Sequence, residues 1–276
     1  MIELSPKNYY SPQANVDYFS VSQIKQFLQC EACTLAELNG EYVREKSTSL
    51  LVGGYIDAFF SGELDDFRAE NPEIFTKKGE LRSDYLQAEC IIDRIQRDAL
   101  AMRMLSGEKQ QILTGTIEGF PFKAKLDCWI DSASAASIAK DFPDMAELLF
   151  CGGAIVDLKI VKDFSPMYRD GEGRLNFMEF WGYDLQMAVY QELKRQQIGQ
   201  KVPCFILAAT KERVPNLELF QVPQSLMDAN MILLKDKLSS IAAVKSGRKP
   251  ADACGICDYC KSVKELSGAT WPEEFA

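Results

Sequence analysis

The sequence predicts an α/β protein, because short β-branched runs alternate with stretches of helical periodicity. Strands are predicted over residues 112–117, 120–130, 154–160, 203–210 and 217–222. Helices are predicted over residues 20–30, 49–60, 83–104, 178–198 and 225–246. For 276 residues, 47% of them hydrophobic, we expect one domain. Its core would span about 20–222, and a C-terminal helix and Cys-rich tail, 223–276, would pack back on the N-terminal helix.

The composition excludes several classes of enzyme. The chain has no histidine, which removes Ser-His-Asp and Cys-His catalysis and histidine-bound zinc. Its nine cysteines favour metal or redox use over a disulfide framework in an intracellular protein. The net charge of −9 argues against a generally basic coat protein for nucleic acid, but it permits a local cationic surface on a nuclease.

The sequence shows no membrane or export segment. No apolar run approaches the length that spans a bilayer. Residues 1–6 lack the basic start and the apolar core of a signal peptide. We therefore expect a cytoplasmic protein, of a bacterium or of a phage-infected host, with no membrane partner.

The N-terminal part is predicted to be helical after an irregular start over residues 1–20. In the first helix, Ile24, Phe27 and Leu28 form an apolar stripe. The second helix contains Gly53-Gly54 and carries Asp57 one turn after Gly53. Residues 62–82 are charged and contain turn signals, and the long third helix follows them.

A β-hairpin with a Glu118-Gly119 turn is predicted next. Its second arm alternates apolar residues with Lys123, Lys125, Asp127 and Trp129, which share one face. Residues 131–153 form an Ala/Ser-rich excursion whose shape the pattern does not define. The apolar strand 154–160 then places Asp157 and Lys159 on one face. If this strand is buried, its two charges need a partner or a functional role. Alternatively, the strand face is exposed and the two charges form a weak ion pair.

The helix over 178–198 follows a polar, glycine-containing loop, 163–177. Four residues that recur every fourth position are expected to face the core: Trp181, Leu185, Val189 and Leu193. Tyr183, Gln186 and Tyr190 form a neighbouring stripe. Strand 203–210 is expected to be buried, and strand 217–222 to lie at a sheet edge.

Asp127 and Asp157 on adjacent strands could hold one or two Mg²⁺ or Mn²⁺ ions through oxygen ligands. Such an ion generates hydroxide and stabilises charge on phosphorus, and Lys159 could orient or deprotonate water. This chemistry suits phosphodiester hydrolysis and needs no histidine. Each motif alone is weak, because Asp-x-Lys occurs by chance and an isolated Asp57 is usually a solvated surface residue.

In this order the motifs resemble the PD-(D/E)xK nuclease superfamily, specifically its RecB-like and phage RecE-like (exodeoxyribonuclease VIII-type) exonucleases. The matching motifs are Ser20-x-Ser-x-Ile-x-x-Phe-x-x-Cys30, Gly53-x-x-x-Asp57, Lys125-Leu-Asp127, Asp157-Leu-Lys159 and Gln186-Met-Ala-Val-Tyr190. The resemblance implies a central mixed β-sheet flanked by helices and Mg²⁺-dependent (or Mn²⁺-dependent) DNA cleavage.

The same resemblance assigns roles to residues. It implies a catalytic site of Asp127, Asp157 and Lys159, and DNA-backbone contacts from Gln186 and Tyr190. A histidine usually stands where this chain has Asp57, which could serve as a further metal ligand. The resemblance also implies linear duplex ends as substrate, a single-strand annealing protein as partner and a homo-oligomeric ring.

The cysteines form a second signal. Cys254-x-x-Cys257-x-x-Cys260 is a compact thiolate cluster that needs a fourth ligand for zinc or an Fe–S cluster. Iron–sulfur nucleases of the superfamily take that ligand from the N-terminal helix. The resemblance therefore implies Cys30 as the fourth ligand, with Cys33 as its rival, and a 4Fe–4S cluster. The alternatives are a Zn²⁺ ion or free thiols. The other cysteines are expected to fill the core: Cys90, Cys128, Cys151 and Cys204.

The favoured function is thus a Mg²⁺-dependent DNA exonuclease of the phage or prophage recombination type. One alternative is a catalytically weak DNA-binding or assembly module on the same fold. Another is an Fe–S redox-sensing DNA-binding protein whose carboxylates are structural. Cleavage polarity, processivity and oligomeric state do not follow from the sequence.

Overall fold

The structure, a computed structural model, describes residues 1–45, 47–149, 152–266, 268 and 271. The chain divides into two compact units. Unit 1 comprises Met1–Val21 and Glu45–Lys235, and unit 2 comprises Ser22–Arg44 and Asp236–Ala276. The expectation of a single domain stays a prediction. None of the helices in the described ranges is long and apolar enough to cross a membrane.

The helices within the described residues are α1 (Pro12–Asp17), α2 (Val21–Gln29), α3 (Glu31–Leu38), α4 (Thr48–Ser61), α5 (Leu64–Glu70), α6 (Ser83–Gln96), α7 (Ala99–Met104), α8 (Ser132–Asp141), α9 (Ala146–Leu149), α10 (Phe177–Trp181), α11 (Tyr183–Ile198), α12 (Gln224–Lys245) and α13 (Asp258–Ser262). Short 3₁₀ turns cover Pro72–Ile74 and Pro143–Met145. The strands are β1 (Glu108–Ile117), β2 (Phe120–Ile130), β3 (Ala154–Val161), β4 (Met167–Arg169), β5 (Gly173–Leu175), β6 (Cys204–Thr210) and β7 (Leu217–Gln221).

Unit 1 is built on a mixed five-stranded sheet in the order β1-β2-β3-β6-β7. Only the β3–β6 pair is parallel, and the other neighbours are antiparallel. The predicted mixed sheet flanked by helices is therefore confirmed. β6 is buried along its whole length, as its unbroken apolar sequence predicts for a strand covered on both faces. β7 lies at the sheet edge, as expected.

The turn of the β1–β2 hairpin also has the predicted position. Glu118 and Gly119 have φ of 49° and 79°, and positive φ at both central residues is the geometry that matches the twist of a two-residue hairpin. A second, two-stranded hairpin of β4 and β5 lies in the segment that the sequence presented as a loop.

The two faces of β3 meet different helices. Val156 and Leu158 belong to the main apolar core, which includes Ile56 of α4 and Ile91 of α6. Because side chains alternate along a strand, Asp157 points to the opposite face, where it contacts α11. This alternation carries the charged pair of β3 away from the apolar core.

Several sequence expectations were wrong in detail. The helix over 83–104 is two helices, because Asp98 caps α7 by accepting a hydrogen bond from Ala101 N at 2.9 Å. The helix over 178–198 is broken at Gly182, with φ of 61°. Trp181 therefore leaves the apolar stripe and is 51% exposed, whereas its predicted companions are buried: Leu185, Val189 and Leu193.

Other local expectations had mixed outcomes. Residues 1–20 are not wholly irregular, since they contain α1, and the excursion after β2 contains α8 and α9. In α2, Ile24 and Phe27 are buried but Leu28 is exposed. Cys128 and Cys204 are buried as expected, whereas Cys90 is exposed. Cys151 lies outside the described residues.

Unit 2 combines two segments that are far apart in sequence. The backbone N–H of Ala32 donates to Asp252 O at 3.0 Å. Lys249 Nζ lies 3.4 Å from Glu31 Oε1 and 3.5 Å from Asp252 Oδ2. These contacts hold α3 against the segment that precedes α13.

Candidate functional site

Asp127 and Asp157 lie where β2 and β3 separate. The ladder between these strands runs from Ile130↔Ala154 to Cys128↔Val156, and the next rung would set Asp127 opposite Asp157. Instead, Asp127 Oδ2 accepts a hydrogen bond from the backbone N–H of Leu158 at 3.0 Å. The fork in the sheet therefore brings two carboxylates to one place while β3 remains paired with β6.

Lys159 forms an ion pair with Asp157 on the same strand face, as the period of two predicts. Asp157 is completely buried, and 17% of the Lys159 side chain is exposed. Burial raises the pKa of Asp157 to about 7, against the opposing charge of Lys159. Burial alone would lower the pKa of Lys159, but Asp157 and Asp127 outweigh it and raise that pKa. Lys159 Nζ also lies 5.1 Å from the centre of the Tyr183 ring.

Gln186 of α11 contacts Asp157, and Tyr190 of the same helix contacts Gln186. Gln186 Nε2 donates to Asp157 Oδ1 at 2.8 Å and to the Tyr190 hydroxyl at 3.1 Å. Residues four apart on a helix share a face, which is why both side chains meet the site. Burial raises the pKa of Tyr190 well above its usual value, so this hydroxyl stays protonated.

Asp57 approaches from α4. Burial and the charge of Asp127 raise its pKa to about 7. Gln110 Nε2 lies 3.4 Å and 3.3 Å from its two carboxylate oxygens. A small cleft is lined by Asp57, Asp127, Gln110 and Lys109, among others. The structure thus brings Asp57 to the carboxylates of the sheet.

Gln110 was not identified from the sequence. Its neighbours on β1, Lys109 and Gln111, pair with Cys128 and Leu126, so the register sets Gln110 opposite Asp127. Gln110 has φ of 54°, a conformation that non-glycine residues rarely adopt. Its Oε1 is buried and accepts no hydrogen bond within the described part of the chain. A single glutamine just before the predicted strand 112–117 carries no signal of such a role.

The arrangement fits a divalent cation. Asp57, Asp127 and Asp157 supply the carboxylate oxygens that Mg²⁺ and Mn²⁺ prefer. Asp157 Oδ2 is buried and pairs with Lys159, but among the described residues it accepts no hydrogen bond of ordinary geometry. Burial and mutual repulsion raise the pKa values of Asp57 and Asp157, and a bound cation would relieve that repulsion.

Four cysteines of unit 2 converge separately. The Sγ atoms of Cys30, Cys254, Cys257 and Cys260 all lie within 4.8 Å of one another. None of them forms a disulfide. Cys33, the rival fourth ligand, packs against this group and its thiol pairs with that of Cys257, but it is not one of the four whose Sγ atoms converge. Its Sγ also accepts a hydrogen bond from Arg44 Nη2 at 3.4 Å.

Comparison with known proteins gives a family and a structural neighbour. The model of a family described as a PDDEXK-like domain of unknown function (DUF3799) matches residues 20–137 and 144–263. Among matching solved structures is the crystal structure of a protein described as a "putative exonuclease" from Eubacterium rectale. It shares 38% identity, with a TM-score of 0.90, over 100% of this chain and 98% of that one. No curated protein matches the sequence.

Proposed function

This chain belongs to the PDDEXK-like family DUF3799, and on that basis we propose that it is a metal-dependent DNA exonuclease. It would hydrolyse phosphodiester bonds at the ends of linear duplex DNA. The observation that carries the proposal is the convergence of Asp127, Asp157 and Lys159 at the fork between β2 and β3. The structural neighbour described as a "putative exonuclease" supports the same proposal.

Asp127 and Asp157, with Asp57, would hold one or two Mg²⁺ or Mn²⁺ ions. A bound ion of this kind supplies a nucleophile at neutral pH and stabilises the charge that develops on the phosphate. Asp127 is fixed by the backbone N–H of Leu158. Gln186 Nε2 donates a hydrogen bond to Asp157 Oδ1. The carboxylates of Asp127 and Asp157 are therefore oriented before substrate binds.

Lys159 would act on the attacking water or the scissile phosphate. Its ammonium group is held by Asp157 and by the face of Tyr183. The raised pKa of Lys159 keeps it charged at neutral pH, so its role in this geometry is to orient water and to stabilise negative charge on oxygen. A divalent ion next to Asp157 would weaken the ion pair and free the ammonium for the phosphate.

The proposed biological role and partners rest on the family resemblance alone. It comprises a phage or prophage recombination role, a single-strand annealing partner, a ring-shaped oligomer and a cytoplasmic location. DNA-backbone contacts by Gln186 and Tyr190 belong to the same set, although Gln186 already contacts Asp157 and Tyr190 contacts Gln186.

The test is digestion of end-labelled linear duplex DNA and of the same DNA as a closed circle. We expect nucleotides to be released from the linear form with Mg²⁺ or Mn²⁺, and no cleavage in EDTA. Asp157→Ala should abolish release, whereas Asp144→Ala, a change at an exposed carboxylate, should leave it unchanged.

Each other outcome is informative. Equal cleavage of the circle would replace the exonuclease by an endonuclease. Cleavage that persists in Asp157→Ala would contradict the assigned site. If folded protein binds DNA but cleaves no form of it, the chain is a DNA-binding module.

A further inference from the structure

We propose that Cys30, Cys254, Cys257 and Cys260 bind a single Zn²⁺ ion as a structural site of unit 2. This site is independent of the proposed nuclease chemistry, because all its ligands lie outside unit 1. It also differs from the 4Fe–4S cluster that the resemblance implies.

The sulfur positions fit one tetrahedral ion. Four thiolates around a zinc ion, each at about 2.3 Å, place neighbouring sulfurs about 3.8 Å apart. Cys30 Sγ lies 3.5 Å from Cys260 Sγ and 3.9 Å from Cys257 Sγ, and Cys254 Sγ lies 3.9 Å from Cys260 Sγ. These distances are far longer than a disulfide bond of about 2.05 Å.

The same positions do not suit a 4Fe–4S cluster. In such a cluster each thiolate binds a different iron, so the cluster core separates the four sulfurs more widely than a shared ion does. All four Sγ atoms here lie within 4.8 Å of one another. Thiolate-only tetrahedral donors are typical of zinc as well as of iron–sulfur sites, and the compact spacing favours the single ion.

The backbone is arranged to support thiolates. Cys257 N donates to Cys254 Sγ at 3.3 Å, and Cys260 N donates to Cys257 Sγ at 3.5 Å. Cys33 N donates to Cys30 Sγ at 3.4 Å. Gly255 has φ of 74°, which lets the chain turn tightly between the first two tail ligands. Hydrogen bonds of this kind orient ligand sulfurs and stabilise their charge.

The site would connect the two segments of unit 2. Cys30 precedes α3, and the three tail cysteines surround the start of α13. An ion bound by all four cysteines would cross-link residues that are far apart in sequence. Because the unfolded chain has no preformed site, the free energy of metal binding would stabilise the folded state. With four protein ligands it leaves no open position, so its role is structural rather than catalytic.

Metal content is the first test. Protein purified without chelator is analysed for zinc, iron and acid-labile sulfide, and after Co²⁺ exchange its visible spectrum is recorded. We expect one zinc per chain, no labile sulfide and the d–d bands of tetrahedral Co²⁺. Several irons with labile sulfide would overturn the proposal, as would the absence of any bound transition metal.

Variants identify the ligands. Cys257→Ser should lose the zinc and lower the melting temperature by several degrees. Cys33→Ser and the exposed Cys90→Ser are matched controls that should keep one zinc per chain. If Cys257→Ser does not fold, titration of the wild type with a mercurial thiol reagent should instead release one zinc to a chromogenic chelator. Zinc retained in Cys257→Ser, or lost in Cys33→Ser, would contradict the ligand set.

The two proposals fail separately. Asp157→Ala should keep its zinc whether or not the wild type cleaves DNA, because Asp157 belongs to unit 1. A zinc-containing protein without nuclease activity would therefore leave the cysteine site intact and remove only the proposed function.

Discussion

Gln186 Nε2 donates a 2.8 Å hydrogen bond to Asp157 Oδ1, which links α11 to the buried carboxylate of β3. By resemblance Gln186 is expected to contact DNA, yet its amide is already engaged in the site. In the proposed metal site, a side chain so placed would orient a metal ligand, and outer-shell partners of this kind commonly affect metal affinity or activity by about 10- to 100-fold.

Gln186→Ala is therefore expected to lower kcat by about 10- to 100-fold and to raise the Mg²⁺ concentration needed for half-maximal activity, with little change in DNA affinity. Steady-state kinetics across a Mg²⁺ titration, with DNA binding measured separately, check this. Gln197→Ala, at an exposed position of the same helix, is the control. A loss confined to DNA affinity would instead favour a DNA-contact role.

Lys159→Met tests whether the ammonium next to Asp157 takes part in catalysis. We expect kcat to fall by about 10²- to 10⁴-fold, the range that one positioned catalytic group contributes, while DNA binding persists. Lys162→Met is the matched control, because the Lys162 side chain is 95% exposed. If kcat falls by less than about threefold, Lys159 acts only as a structural ion-pair partner of Asp157.

Asp57→Asn is expected to stabilise the protein in buffer free of Mg²⁺ and Mn²⁺ at pH 8. The pKa of Asp57 is about 7 in the folded protein, against about 3.9 in an unfolded chain. Between these values the folded state binds a proton that the unfolded state releases, so wild-type stability falls as pH rises. Asparagine cannot ionise, so the variant does not lose stability with rising pH in this way, and its side-chain oxygen can still accept a hydrogen bond from Gln110.

The stabilisation by Asp57→Asn should be near zero at about pH 4, grow up to about pH 7 and then stay constant. At pH 8 we expect a melting temperature higher by about 2 °C or more, since roughly 1 kcal/mol corresponds to that shift in a chain of this size. Thermal unfolding from pH 4 to 8 measures it, with Asp144→Asn as the exposed control. Added Mg²⁺ should stabilise the wild type more than the variant, and equal stabilisation would exclude Asp57 as a ligand.

Local periodicity was sufficient to predict how the strands place the residues of the candidate site. A period of two places Asp157 and Lys159 on one face, and the Glu118-Gly119 turn sets the hairpin that carries Asp127. The convergence of these strands with Asp57 depends on tertiary packing, and only the order of motifs in the resemblance indicated it.

Features that depend on one residue's backbone or on distant contacts were not predictable. Gly182 breaks a helix whose apolar period continues across it, so the exposure of Trp181 could not be predicted from the pattern. The Gln110–Asp57 contact joins a strand to a helix 53 residues away. The choice of Cys30 over Cys33 likewise needed the fold, because both lie close together in sequence.

Gly53→Ala is expected to stabilise the protein while weakening DNA binding. Gly53 precedes Asp57 by one turn on the same face of α4, and a Cβ added there meets nothing within 4 Å among the described residues. Alanine in a helix interior favours folding by about 0.5–1 kcal/mol over glycine. The space beside Gly53 is open, and the same helix face carries Asp57, a candidate metal ligand. We therefore expect the DNA backbone to pass close to Gly53.

The adjacent glycine provides the control for this prediction. A Cβ on Gly54 would approach Phe67 Cε2 to 3.0 Å, so Gly54→Ala should gain little stability or lose some, through packing within the protein. For Gly53→Ala, thermal unfolding should show a higher melting temperature, and a binding titration with linear duplex DNA should show an affinity several-fold lower than that of the wild type. Unchanged DNA affinity in a stabilised Gly53→Ala protein would place the DNA path elsewhere than along α4.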